Sequence, residues 1–268
     1  MTDVAFGQYY PANSFVHRLD ARTKIVFLIT YIVCIFLAQN FYALGGLVAV
    51  FILVAAFSKI PFSKLLKSVK GILFLLVFTA ILNLFFYQGK TPLWEGSPLT
   101  WEAVTFTLFL SVRLILLVLT SSLLTLTTTP VGLTDGIESL LTPLKWIRFP
   151  VHELALIMSI ALRFIPILTD ETARIINAQK ARGADFESGN LFKKIKAFVP
   201  ILVPLLISAF RRADELGDAM DARCYSGSKV RTKYKKLTFT WRDIVAFALL
   251  ALCLAGVILL RIYTGAVV

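Results

Sequence analysis

From Ile25 to Phe57 the chain is almost wholly apolar, interrupted only by Gln39-Asn40 and by Gly45-Gly46. As a single helix this run would be about 50 Å long, too long for a hydrocarbon layer about 30 Å thick. Two shorter helices with a tight turn near Gln39–Tyr42 satisfy both length and composition. Similar runs follow at Ile72–Tyr87, Trp101–Thr127 and Trp241–Tyr263, the last with aromatic residues at both ends, where membrane interfaces favour them. A loop with Gly89, Pro92, Gly96 and Pro98 separates the second and third of these runs. The expected fold is therefore an all-α membrane protein with about five transmembrane helices. With 57% hydrophobic and only 16% charged residues, an ordinary soluble enzyme and a disordered scaffold are both excluded.

Charge sets the expected orientation. The net charge of +12 would suggest nucleic acid in a soluble protein, but in a membrane protein it belongs to the cytoplasmic loops, so no nucleic-acid partner is expected. The N-terminal arm carries Arg18, Arg22 and Lys24, and the second loop carries Lys59, Lys64, Lys67 and Lys70 without an acid. Residues 128–240 hold 17 of the 28 basic residues, whereas the intervening loops offer only Lys90. The arm and residues 128–240 are thus expected in the cytoplasm, and five spans place the C-terminus outside the cell membrane. The first 24 residues lack the apolar stretch and small-residue cleavage site of a signal peptide. The organisation reads as an arm at 1–24, four spans within 25–130, a cytoplasmic coupling region of long amphipathic helices at 131–240, and a final span at 241–263.

The coupling region is too charged for a membrane and too apolar for a simple soluble domain. Val151–Leu168 would pass as a span, but Arg163 and Pro166 interrupt it and a charged helix follows without a break. Within the region the chain echoes itself. Phe164-Ile165-Pro166-Ile167-Leu168 is answered by Phe198-Val199-Pro200-Ile201-Leu202, with Pro204 and Ile207 continuing the second apolar block. Each block runs into a charged tail that ends in Ala-Arg and a breaker: Ala181-Arg182-Gly183 and Ala222-Arg223-Cys224. The proline-to-arginine separations are 16 and 23 residues, a difference of about two helical turns that leaves both arginines on a similar face. A cation in the last turn of a helix complements the helix dipole and needs no function. The same pattern on two helices also suits docking, because guanidinium is planar, always charged and grips a carboxylate with two hydrogen bonds.

These paired arginine-tipped ends resemble those of the transmembrane T component of energy-coupling factor (ECF) transporters. So does the lead into the first span, Ser14-Phe15-Val16-His17-Arg18-Leu19-Asp20-Ala21-Arg22-Thr23-Lys24. The resemblance covers nearly the whole chain. It implies a non-catalytic subunit that couples two ABC-type ATPases to a membrane S component that captures a vitamin or metal ion. It also implies that Arg182 and Arg223 dock the ATPases; Cys224 departs from the glycine commoner at its position. The apolar positions Phe164, Pro166, Leu168, Phe198, Pro200, Leu202, Pro204 and Ile207 are expected to pack near the inner membrane face against the S component.

Other signals point elsewhere and fall short. Gly89-Lys90-Thr91 ends like a phosphate-binding loop, but Leu84 stands where its first glycine should be. His17 and His152 have no metal-ligand spacing, and no cofactor is expected. Asp218-Ala219-Met220-Asp221-Ala222-Arg223 approaches the start of a CDP-alcohol phosphotransferase motif, yet Asp243 is the only later acid, too few for two metals and a base. A dedicated cobalt or nickel transporter subunit of the same architecture is the alternative within transport. Arg113 lies in the middle of the 101–127 span, where it needs backbone carbonyls, Asn83, an acid of the coupling region or a partner subunit.

Overall fold

The computed structural model describes residues 9–87, 91, 100–147, 149–184, 191–225 and 238–264. It is all-helical: α1 (Ala21–Leu37), α2 (Phe41–Ser58), α3 (Phe62–Lys70), α4 (Leu73–Phe86), α5 (Trp101–Thr127), α6 (Pro130–Leu141), a 3-10 segment (Thr142–Ile147), α7 (Val151–Ala181), α8 (Leu191–Ala222) and α9 (Trp241–Thr264). The chain divides into two compact units. One comprises Met1–Val151 with Leu237–Val268, and the other His152–Lys236. α6, at the head of the region that sequence assigns to coupling, is held in the first unit by α1.

The long apolar run is two helices. It breaks at residues 38–40, where Ala38 and Asn40 are extended, and α2 begins at Phe41. The phenol of Tyr31 donates to the Leu47 carbonyl and ties the two helices together across the break. Among the described residues four helices are long and apolar enough to cross a membrane: α2, α5, α7 and α9. The pair α3–α4, bent by 59°, makes a fifth if it is taken as one span. At 14 residues, or about 21 Å, α4 is short for a membrane on its own, so the span expected at Ile72–Tyr87 depends on that bent pair. α1, at 17 residues, falls just short of the usual length. Pro166 does not stop α7, which runs unbroken for 31 residues.

The first unit packs around α1 and α5. Tyr31, Cys34 and Ile35 of α1 meet Leu44, Leu47 and Phe51 of α2, with Leu116 and Leu123 of α5 and Val257 of α9 closing the core. Leu65 of α3 is buried and Ser68 shares a 2.6 Å hydrogen bond with Ser122 of α5, which fixes this basic helix along the bundle. Gly45 and Gly46 mark no close helix contact, because a Cβ at either would meet nothing within 4 Å. The close approach is at Gly136 of α6, where a Cβ would stand 3.0 Å from the Ala21 Cβ and 3.0 Å from Ile25.

The second unit holds α7 and α8, of 31 and 32 residues, each about 46–48 Å long. Pro200 and Pro204 lie inside α8. Arg212 of α8 pairs with Glu171 of α7 at 3.6 Å. That pair links the two helices.

Candidate functional site

The ends of α7 and α8 share one hydrogen-bonding scheme. At the end of α7 the Gly183 N–H donates to the Lys180 carbonyl at 3.0 Å, and the Ala184 N–H reaches back to Gln179 at 3.0 Å. At the end of α8 the Cys224 N–H donates to Asp221 at 2.9 Å, and the Tyr225 N–H to Met220 at 3.0 Å. Both are Schellman closures, which satisfy the last carbonyls by turning one residue left-handed. Those residues are Gly183 at φ +86° and Cys224 at φ +57°. Arg182 and Arg223 therefore occupy the same position, the cap residue just before the left-handed turn. Ala181 and Ala222 precede them on exposed backbone, and both arginines are exposed. Neither guanidinium has an ion-pair partner among the described residues. The equivalence of Ala-Arg-Gly and Ala-Arg-Cys is thus geometric as well as textual.

Most of the expected apolar positions are uncovered. Phe198, Pro200, Leu202, Pro204 and Ile207 of α8 are exposed, as is Pro166 of α7, while Phe164 and Leu168 are half-buried. Val199, Val203, Leu206 and Phe210 extend the apolar surface of α8 at three- and four-residue spacing, so it forms a continuous stripe. Ile201, on the other side of the helix, is buried.

Arg113 finds one of the partners foreseen for it. Its guanidinium donates to the carbonyl of Ala38, the residue that ends α1, and lies 4.7 Å from the centre of the Phe109 ring. Its Nε is buried without a partner. A cation in the span thereby closes the C-terminus of a neighbouring helix.

The sequence reading missed a second polar cluster, in the first unit, where arm, α1, α5 and α9 converge. His17 is a strut. Its Nε2–H donates to the Tyr10 carbonyl at 2.9 Å, and its Nδ1 accepts from the Ser14 hydroxyl at 2.7 Å. Tyr10 in turn donates its N–H to Leu126 at 2.9 Å, laying the arm on the end of α5. Burial lowers the imidazole pKa below its ordinary 6.5. The hydrogen bond to Tyr10 opposes that shift and the Lys24 charge adds to it. The Lys24 ammonium donates to the carbonyls of Thr127 at 2.9 Å and His17 at 3.1 Å. Asp243, only 1% exposed, accepts from the Asp20 N–H at 3.0 Å and the Thr240 N–H at 2.8 Å. One carboxylate thus caps the N-termini of both α1 and α9. The signals available were a Thr-x-x-Asp capping pattern at 240–243 and the N-cap type at Asp20, but neither reveals that the two helix starts meet.

Together these features define a multi-span helical membrane protein whose second unit carries two long helices tipped by equivalent, exposed arginines. The chain matches the CbiQ family, described as cobalt transport protein, over residues 12–234. It is 47% identical over 261 residues to the energy-coupling factor transporter transmembrane protein EcfT of Ruminiclostridium cellulolyticum, covering 97% of each chain. It is 48% identical to the protein of the same name from Acidaminococcus fermentans, covering 94% of this chain and 95% of that one. The identity to the Bacillus subtilis protein is 46%, over 94% and 97%. The chain belongs to this family, as a transmembrane T component of energy-coupling factor transporters.

Proposed function

We propose that this chain is the energy-coupling subunit of an ECF-type ABC importer in the cell membrane, for vitamins or other micronutrients. In this reading two ATPase subunits bind and hydrolyse ATP, Arg182 and Arg223 dock into one ATPase each, and the motion passes along α7 and α8 to an S component. The N-terminal arm and the second unit face the cytoplasm, and the C-terminus faces outward. The observation that carries the reading is the identical closure of the two helix ends, which presents the same residue type at the same cap position twice. A subunit that must engage two like partners needs such a repeat. The uncovered apolar stripe of α8 supports an apolar partner beside it, since large exposed apolar patches mark interaction surfaces.

Replacing both arginines tests the docking role. Breaking a shielded guanidinium–carboxylate pair costs about 3–5 kcal/mol, whereas losing a surface contact with the helix dipole costs under about 1 kcal/mol. Arg182→Glu with Arg223→Glu is expected to detach both ATPases from the purified complex and abolish ATP-driven uptake, with the chain still inserted in the membrane. Lysine at both positions should fall between, because it keeps the charge without the planar fork. In a parallel arm, Leu202→Asp or Ile207→Asp should release the S component and leave the ATPases attached. A complete, transporting complex from the double glutamate variant would refute the docking role. The family's description favours a second reading, in which the cargo is cobalt or nickel; uptake of radioactive cobalt against labelled vitamins, in cells carrying the neighbouring S component, separates the two.

A further inference from the structure

The first unit contains a cavity of about 390 Å³ bounded by α1, α2, α5, α9 and the arm. Its floor is buried: Val16, Thr23, Leu123, Thr127 and Ala246. Its lips are Leu53 and Phe57 of α2 and Trp241 and Val245 of α9, 47–62% exposed and all apolar. These lips belong to two of the helices long enough to cross a membrane, where exposed apolar side chains are expected to meet lipid chains. Water is a poor occupant, since a buried water needs two to four polar partners and these walls are almost entirely hydrocarbon. An apolar void of about 150 Å³ holds benzene, so this volume has room for roughly fifteen chain carbons.

One end of the cavity is different. Thr23, 1% exposed, is among its lining residues, and its hydroxyl is buried with no hydrogen-bond partner among the described residues. Beside it the Lys24 ammonium commits two of its three donors, to Thr127 and His17. Arg18, Arg22 and Arg242 stand on the adjoining segments, so four basic residues, with the acids Asp20 and Asp243, lie around the starts of α1 and α9. A phospholipid has the matching order of groups: an apolar chain, then ester oxygens that accept hydrogen bonds, then an anionic phosphate.

We propose that this cavity holds an acyl chain of an anionic phospholipid from the surrounding bilayer, with the ester region at Thr23 and the phosphate at the basic end formed by Lys24 and the neighbouring arginines. The bound chain completes the packing between α2 and α9 that side chains leave unfinished. The site is built within the first unit, from the arm and the starts of α1 and α9, and uses none of the residues assigned to coupling.

The test uses the full chain reconstituted in phosphatidylcholine containing a minority of phosphatidylglycerol, then extracted in mild detergent and examined by native mass spectrometry. A single phosphatidylglycerol is expected to remain on the wild-type protein. Ala246→Phe fills the floor of the cavity and should reduce that occupancy by about tenfold or more, since excluding two methylenes already suffices for such a change. Thermal unfolding of the variant without lipid should be unchanged or shifted upward, because the added ring fills a void. A second measurement does not rely on that variant folding. With Trp94, Trp101 and Trp146 replaced by Phe, Trp241 alone reports on the lip, and phosphatidylglycerol brominated on its chains should quench it persistently after dilution into unlabelled lipid. Equal retention of phosphatidylcholine would overturn the anionic assignment. Undiminished lipid on Ala246→Phe, quenching lost at once on dilution, or expulsion of the lipid when the partner subunits assemble would overturn the site itself.

Discussion

Asp243→Ala removes one carboxylate and leaves two backbone N–H groups without their acceptor. The two are not equivalent. The Asp20 N–H is buried, so its loss costs about 1–3 kcal/mol, the desolvation penalty of an unmade hydrogen bond. The Thr240 N–H lies on an exposed residue that water can reach, and contributes about 0.5–1 kcal/mol. Removing a negative charge from the first turn of α9 adds about 0.3–1 kcal/mol. Together the expected loss is about 2–5 kcal/mol, localised where α1 and α9 start. Hydrogen exchange measures this directly: amides at the start of α1 should exchange about 30- to 4,000-fold faster, at a factor of ten per 1.4 kcal/mol. Asp243→Asn keeps one acceptor oxygen but turns a donor toward the other N–H, so it should lose about 1 kcal/mol. Exchange within a factor of three of wild type in Asp243→Ala would refute the claim that this carboxylate holds the two helix starts together.

Other substitutions probe the remaining features. Cys224→Gly relieves a side chain held at φ +57° and should slow exchange in the last turn of α8 by an amount worth about 0.5–1 kcal/mol, whereas Gly183→Ala, at φ +86°, should speed it at the end of α7. Arg113→Met leaves the Ala38 carbonyl without its donor and should cost about 1–3 kcal/mol in detergent unfolding, with Arg113→Lys losing less because one donor remains. His17 has a folded pKa below its ordinary 6.5, so the unfolded arm binds the proton more tightly. Its contribution is complete above that value and is lost as pH falls through the folded pKa. Proteolysis of the arm should accelerate on acidification through this range, and His17→Gln should flatten the dependence.

What the chain reveals by itself is what depends on near neighbours. Apolar runs define helices and their lipid exposure, Gln39-Asn40 marks the break between α1 and α2, and the paired Ala-Arg-breaker ends are legible because a helix closure is made within six residues. The two closures even agree in bond pattern, with cysteine taking the conformation that glycine takes more easily. What the tertiary structure decided lies between residues far apart in the chain. Asp243 meets Asp20 across 223 positions, Lys24 reaches Thr127 across 103, and Arg113 reaches Ala38 across 75. Read singly, Asp243 is an acid at the edge of a span and His17 a histidine without metal-ligand spacing. The close approach at Gly136 is equally silent, because a glycine in a helix does not announce which neighbour it admits. Local hydrogen bonding and hydrophobic periodicity repeat every few residues and can be read in order. The pairing of buried polar groups is settled only when the helices have packed and each donor left in an apolar interior must find the acceptor that the fold brings to it.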